Sequence, residues 1–169
     1  KGEEISLGVM ICEDGWTENY HFNVPQILQK NGAQLLCNIS CSPFTLNKNH
    51  KRNKVFSAQV KTCNIPLLYC NNIGIQNNGK NVFTYDGCSC LYAADGHLVA
   101  NSKRFEPDLL ICDFNTLSGQ LTSLSKPQPD MSETEEIYAA LYYGAKKFLA
   151  QMHIDKMTIG ISGGIDSAV

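Results

Sequence analysis

Apolar residues alternate with small or polar ones near the start of the chain. Ile5, Leu7, Val9 and Ile11 fall on one side, and Ser6, Gly8 and Met10 on the other. A period of two predicts a strand over 5–11. Val24, Ile27 and Leu28 then recur at helical spacing, with Gly32 placed to end a short helix. "AQLLCNIS" predicts a second strand, and Phe56, Val60 and Cys63, spaced i, i+4, i+7, predict a helix over 51–63. "IPLLYCNNI" predicts a third strand, so the first part reads β-α-β-α-β.

The pattern changes from Asn77 to Phe114, where short apolar runs are punctuated by Asn-Asn-Gly, Asp86-Gly87 and Asp95-Gly96. "CLYAADGHLVA" predicts a hairpin with Asp-Gly at its turn, and "EPDLLICDF" predicts the last strand of the block. The pattern is α/β followed by antiparallel strands within one layered domain. "NTLSGQLTSLSKPQPDM" (115–131) has Ser, Thr and two prolines without periodicity, and predicts a linker holding the domain boundary. Ser132 and Glu135 form a capping box for a helix with Ile137, Leu141, Gly144, Phe148 and Met152 along one stripe. "KMTIGI" predicts a strand that runs into "GISGGIDSAV".

Composition narrows the class without naming a chemistry. The 169 residues fit roughly one domain, and 43% hydrophobic with 18% charged residues describes a globular chain able to bury a core. A net charge of −2 gives no general attraction to nucleic acid or acidic membrane. The start, Lys-Gly-Glu-Glu, carries no signal peptide, and no apolar run approaches the ~18 residues of a membrane span. The chain therefore reads as a segment of something longer. Eight cysteines occur with no Cys-x-x-Cys pair, and four histidines are scattered, so zinc spacing is absent. Seven cysteines are expected to be small buried hydrophobes in a reducing cytoplasm; Cys12 stands apart.

Two stretches carry candidate chemistry. The terminal loop lacks the lysine of a P-loop and the Gly-x-Gly-x-x-Gly order of a dinucleotide fingerprint. Gly160, Ser162 and Gly164 match a hydrolase nucleophile elbow, but its partners should follow in the order Ser, acid, His, and every histidine here precedes Ser162. The alternative is an anion cradle. Gly163 and Gly164 allow close backbone approach, successive N–H groups supply positive partial charge, and Ser162 and Ser167 add hydroxyl donors. Asp166 would repel phosphate unless a cation intervened, which points to Mg²⁺ or an orienting role.

In "VMICEDGW", Cys12 sits just past a strand, where a nucleophile can stand at the sheet's edge. Two neighbouring acids would raise its pKa, and the segment offers no obvious positive partner. On residues alone, nucleophile and buried cysteine both remain open.

"CEDGW" resembles the nucleophile motif of nitrilase-superfamily amidases, "NISCSPFTLNK" (38–48) their substrate loop, and "YDGCSCLYAADGHLVA" the hairpins that follow. "SGGIDS" resembles the PP-loop of ATP pyrophosphatases, and the two motifs in this order are similar to the glutamine-dependent NAD synthetase family. The resemblance implies an α/β fold: the C-terminal half of a nitrilase-type α-β-β-α sandwich (1–116), a linker (117–131), and the first helix, strand and phosphate loop of a Rossmann-like adenine nucleotide alpha hydrolase domain (132–169). It implies that Cys12 attacks the glutamine amide, that Glu13 helps hold the head group, and that Ser42 and Lys48 contact the same substrate. The family often has Gly where this chain has Asn47, which also tolerates the left-handed conformation. Trp16 is either core or pocket wall.

The family's Glu base and Lys would lie upstream, Lys1 being too near Cys12 to serve, so the segment alone would be inactive. ATP would be held by Ser162, Gly163, Gly164, Ile165, Asp166 and Ser167, with Mg²⁺ at Asp166. The whole enzyme would amidate deamido-NAD with ammonia from glutamine, yielding AMP, pyrophosphate and glutamate. It would be a cytoplasmic homo-oligomer without nucleic-acid or membrane partners. The rival readings are a stand-alone amidase with an unrelated tail and an inactive binding module.

Overall fold

A computed structural model describes residues 4–18 and 20–168, which leaves Lys1 outside. Strand β1 (Leu7–Ile11) is followed by a 3-10 turn (Cys12–Gly15), helix α1 (Val24–Lys30), β2 (Leu35–Ser40), α2 (Lys48–Cys63) and β3 (Leu67–Asn71). The hairpin β4 (Ile73–Asn77) and β5 (Val82–Asp86) leads to β6 (Cys90–Tyr92) and β7 (Leu98–Asn101), then β8 (Cys112–Phe114) and β9 (Leu121–Ser123). Helices α3 (Glu133–Gln151) and α4 (Ile165–Ala168) close the order.

The main sheet has five strands in the order β1-β2-β3-β6-β7. β1, β2 and β3 run parallel, and β6 and β7 extend the sheet antiparallel. Parallel neighbours need crossover helices, which α1 and α2 supply. Met10, Leu36, Phe56, Val60, Leu67, Tyr69 and Tyr92 form the core on one side of this sheet.

The face assignment of β1 is the reverse of what its alternation suggests. Gly8 and Met10 point inward, while Leu7, Val9 and Ile11 stand exposed on the other side. The reason is close packing: a Cβ on Gly8 would lie 2.8 Å from Leu36 Cδ2 and 3.0 Å from Ala33 Cβ. On the outer side, Leu91, Ala100 and Leu121 form a second cluster with Leu68, Val99 and Phe114, so the β8–β9 hairpin covers that side only around β6 and β7. Cys70 and Ile39, paired in register, remain exposed. Cys41, just past β2, is exposed too, so the expectation of seven buried cysteines fails. Cys63, Cys88 and Cys90 are buried, Cys37 and Cys112 half-buried, and all eight are free thiols.

Three further elements differ from the sequence pattern. The strand expected over 106–114 shortens to β8, and its partner β9 lies inside the stretch whose composition predicts a linker. Asn115 makes this turn: its side chain accepts from Leu117 N–H and Ser118 N–H, and Gly119 takes the left-handed φ of 70°. In α3 the buried residues are Glu136, Ala140 and Gly144, whereas Ile137 and Leu141 of the expected stripe are exposed. A Cβ on Gly144 would meet Thr84 Oγ1 at 2.8 Å, so small residues let α3 approach β5 closely. The capping box itself forms, with Ser132 N–H donating to Glu135 at 2.7 Å. "KMTIGI" is in no strand; Met157, Ile159 and Ile161 are exposed, and among the described residues nothing pairs with their backbone, which a strand requires.

Candidate active site

The chain leaves β1 at Ile11 and turns sharply at Cys12, whose φ of 43° is left-handed. A non-glycine residue there carries on the order of 1–3 kcal/mol of strain, which the surroundings must hold. Four bonds do so. Ile11 N–H donates to Asp14 Oδ2 at 2.9 Å, and Trp16 N–H to Glu13 O at 2.8 Å. Asn38 Nδ2 donates to the Cys12 carbonyl at 3.3 Å, and Gln59 Nε2 to the Gly15 carbonyl at 2.6 Å. Gly15 is required by contact: a Cβ would lie 2.6 Å from Asn38 Nδ2 and 2.7 Å from Phe56 Cε1. Each residue of "CEDGW" thus has a local reason, and Trp16 both packs on Phe56, at 5.8 Å between rings, and lines the cleft.

The facing loop, 41–47, is held from β3. Ser42 N–H donates to Asn71 Oδ1 at 2.9 Å, and Asn71 Nδ2 donates to Ser42 O at 3.4 Å and Gly87 O at 2.9 Å. Asn47 adopts φ 62°, the left-handed turn its residue type tolerates, and α2 begins directly after it, three residues earlier than its apolar spacing suggests. Lys48 is therefore fixed on the first turn of a helix, and its Nζ donates to Pro43 O at 3.0 Å.

Cys12, Glu13, Ser42 and Lys48 line one cleft of about 560 Å³, together with Trp16, Asn47 and Lys51. Burial and then the Arg52 guanidinium hold the Lys48 ammonium below its ordinary value, while Cys12, Asp86 and Glu13 pull the other way. The positive partner that the sequence around Cys12 lacks is thus supplied from 36 residues further on, by Lys48 in the same cleft. Glu13 is exposed and accepts from Tyr20 Oη at 2.9 Å, which pushes the Tyr20 phenol up.

Sequence reasoning passes over the groups that set this geometry: Asn38, Gln59, Asn71 and Arg52. Their signal is polarity in apolar surroundings, as in "LLCNIS" and "LLYCNN", where Asn38 and Asn71 are buried in β2 and β3. Ser40 Oγ donates to Asn38 Oδ1 at 2.5 Å, completing that amide. A larger cavity, about 700 Å³, lies between α3 and β6–β7 and does not include Cys12. Its Cys88 thiol is pulled down to about 6 by a hydrogen bond with Cys90, against burial and aided by Arg52, but it is only 6% exposed.

The terminal loop forms a separate cluster. Gly163 is left-handed at φ 88°, and nothing stands within 4 Å of the Cβ positions of Gly160 and Gly163. Ser162 N–H donates to Ser167 Oγ at 3.0 Å, Gly164 N–H to Ser162 Oγ at 3.4 Å, and the two hydroxyls lie 3.0 Å apart. The loop is open and free of side-chain obstruction, with two of its N–H donors turned onto its own serines. Asp166 is exposed, and no group of three metal-ligating side chains exists among the described residues.

Residues 2–121 match the carbon-nitrogen hydrolase family. The chain belongs to that family. The carbon-nitrogen hydrolase of Helicobacter pylori G27 shares its fold, with a TM-score of 0.53 and 21% identity over 60% of this chain and 37% of its own. A glutamine-dependent NAD(+) synthetase of Synechocystis is 32% identical across 99% of this carbon-nitrogen hydrolase chain, which spans 30% of that relative. The glutamine-dependent NAD+ synthetase of Acinetobacter baumannii, solved with ADP, superposes with a TM-score of 0.84 and 25% identity over 96% of this chain and 29% of its own. Both matches extend past the hydrolase region. No helix among the described residues is long and apolar enough to cross a membrane.

Proposed function

We propose that this chain is the part of a glutamine-dependent NAD synthetase that carries the glutaminase cysteine and opens the synthetase's ATP site. The observation that carries the reading is the likeness to such synthetases over 99% of the chain, including residues beyond the hydrolase match at 121, combined with a cleft that gathers Cys12, Glu13, Ser42 and Lys48. A stand-alone amidase with an unrelated tail would give no reason for the likeness to continue through 122–169.

In this reading the glutamine side-chain amide enters the cleft. The Cys12 sulfur bonds to the amide carbon, ammonia leaves with a proton, and water then cleaves the thioester to release glutamate and restore the thiol. The left-handed turn presents the sulfur at the end of β1, where the sheet leaves it accessible. Lys48, held by Pro43 O, offers a cation to a carboxylate or to the thiolate, and Ser42 is fixed by Asn71. Ammonia then serves the amidation of deamido-NAD, whose carboxylate ATP activates as an acyl-adenylate.

The loop Ser162–Ser167 fits a phosphate group in that no side chain crowds Gly163, and its serines can exchange their bonds to each other and to the Ser162 and Gly164 N–H groups for phosphate oxygens. Asp166 supplies one carboxylate oxygen, which suits an Mg²⁺ held mostly by phosphates and water; such an ion would neutralise phosphate charge. The test is Cys12→Ala in the full-length protein. Glutamine-driven NAD synthesis should be abolished and ammonia-driven synthesis spared; equal loss of both would make Cys12 a structural residue.

A further inference from the structure

The loop that leads into Lys48 is held from an unexpected side. Asn47 Nδ2 donates to Glu133 Oε1 at 2.9 Å, and Asn47 N–H to Glu136 Oε2 at 3.4 Å. Both acids belong to the first turn of α3, the helix that leads toward the phosphate loop. Glu136 is 4% exposed and ion-paired with Arg104. Arg104 Nε in turn donates to Asp86 Oδ2 at 3.2 Å, and that same oxygen accepts from Asn49 Nδ2 at 3.0 Å. The guanidinium also lies 5.6 Å from the centre of the Phe44 ring, within the loop itself. One buried cluster therefore touches the loop at Phe44, at Asn47 and, past Lys48, at Asn49.

Asn47 matters because its left-handed backbone aims the residue after it. A φ of 62° is uncommon for a side-chain-bearing residue and holds only when its surroundings fix it. Here the fixing groups are the two α3 carboxylates. We propose that the first turn of α3 completes the glutamine cleft, with Glu136 (held by Arg104) and Glu133 acting as positioning residues that fix Asn47 and thereby aim Lys48. The assignment of glutamine to this cleft rests on the function proposed above; the fixing of Lys48 by α3 does not.

The experiment uses the full-length protein and two independent readouts. Glutamate release gives KM and kcat for glutamine, with ammonia-driven synthesis measured alongside. Brief acetylation with acetic anhydride, quantified by mass spectrometry at Lys48 against the exposed Lys54, reports how well Lys48 is held. For Glu136→Gln we expect glutamine KM to rise about tenfold, with kcat and ammonia-driven synthesis changed less than about threefold, as loss of one charge-assisted contact implies. Lys48 acetylation should rise several-fold in parallel. Asn47→Gly keeps the left-handed turn accessible and removes only the side-chain bond, so its KM should rise less, about threefold. Unchanged KM and unchanged Lys48 labelling in folded Glu136→Gln overturn the proposal, as does a fall in kcat for both nitrogen donors without a KM effect. If Glu136→Gln does not fold, the exposed Glu133→Ala takes its place, and unchanged Lys48 labelling there is equally decisive against it. A wild-type protein that releases no glutamate overturns the glutaminase reading instead, while the labelling still decides whether α3 fixes the loop.

Discussion

Replacing Gly15 by alanine would put a methyl carbon 2.6 Å from Asn38 Nδ2 and 2.7 Å from Cε1 of Phe56, with Phe56 Cζ at 3.0 Å. Neither neighbour can retreat easily. Phe56 is fully buried, with ring contacts to Trp16, Tyr69 and Tyr92. The Asn38 amide is fixed between Ser40 and the Cys12 carbonyl. Forced overpacking of this kind costs about 1–3 kcal/mol. Displacing Asn38 forfeits its bond to Cys12 O as well, about 0.5–1.5 kcal/mol more. The sum, about 1.5–4.5 kcal/mol, divided by a urea slope of about 2 kcal/mol per molar, lowers the unfolding midpoint by about 0.7–2.2 M.

Trp16 is the sole tryptophan of the chain and packs on Phe56, so its fluorescence reports unfolding at the site of the perturbation. Phe56→Leu made together with Gly15→Ala should recover part of the loss, because it opens the space the methyl needs; the pair would then be non-additive in a double-mutant cycle. A midpoint within about 0.2 M of wild type would refute the reasoning, since it would mean that the turn and the core do not meet as tightly as the distances require.

Two further outcomes are expected. Because Lys48 loses its proton below the ordinary value of 10.5, glutamine KM should climb on the alkaline side before pH 10.5, and Lys48→Arg should remove that limb. The linked stability has a definite sign: the unfolded chain binds more protons between the lowered folded pKa and 10.5, so stability rises with pH across that window and is lost as pH falls through the folded value. In the full-length protein, nucleotide chromatography should find AMP rather than ADP as the product of ATP. Asp166→Asn should cut synthesis sharply while glutamine hydrolysis continues; ADP as product would sink the phosphate-loop reading.

The sequence pattern made the β-α-β-α-β order legible because each element carries its own period and stop signal, as with Val24, Ile27 and Leu28 before Gly32. The Asp95-Gly96 turn was equally readable: Gly96 takes φ 87°, and a Cβ there would meet Ser57 O at 2.7 Å. The inward and outward faces of β1 were not, since the alternation fixes which residues share a face but not which face α1 covers. Leu7, Val9 and Ile11 belong to the outer side of the sheet, where they stand exposed. The cleft was legible only as separate motifs. Nothing local ties Cys12 to Lys48; the parallel pairing of β1 with β2 does, because it brings the turn after Ile11 beside the loop after Ser40. The buried amides of Asn38 and Asn71 carried a usable signal, polar residues within apolar strands, that pointed to the loops they hold.

The Ser132–Glu135 capping box illustrates a different limit. It marks where a helix starts, and composition upstream of it suggests a free connection between two units. β9 is paired with β8, and Gln128 N–H donates to Asn101 Oδ1 at 2.8 Å, so the stretch before α3 is tied to the hydrolase sheet. Glu136 and Arg104 form a pair whose side chains are 5% and 12% exposed. Lifting α3 away from β4 and β5 would part Glu136 from Arg104, which would keep only its pair with Asp86. Ala140 and Gly144 would lose their close packing at the same time. From Asp155 to Ile161, by contrast, the chain is exposed and joins no strand among the described residues. Helix α3 is therefore held against the β4–β5 hairpin by a buried ion pair and by close packing. Among the contacts that tie α3 to the loop before Lys48, those to Asn47 come from Glu133 and Glu136.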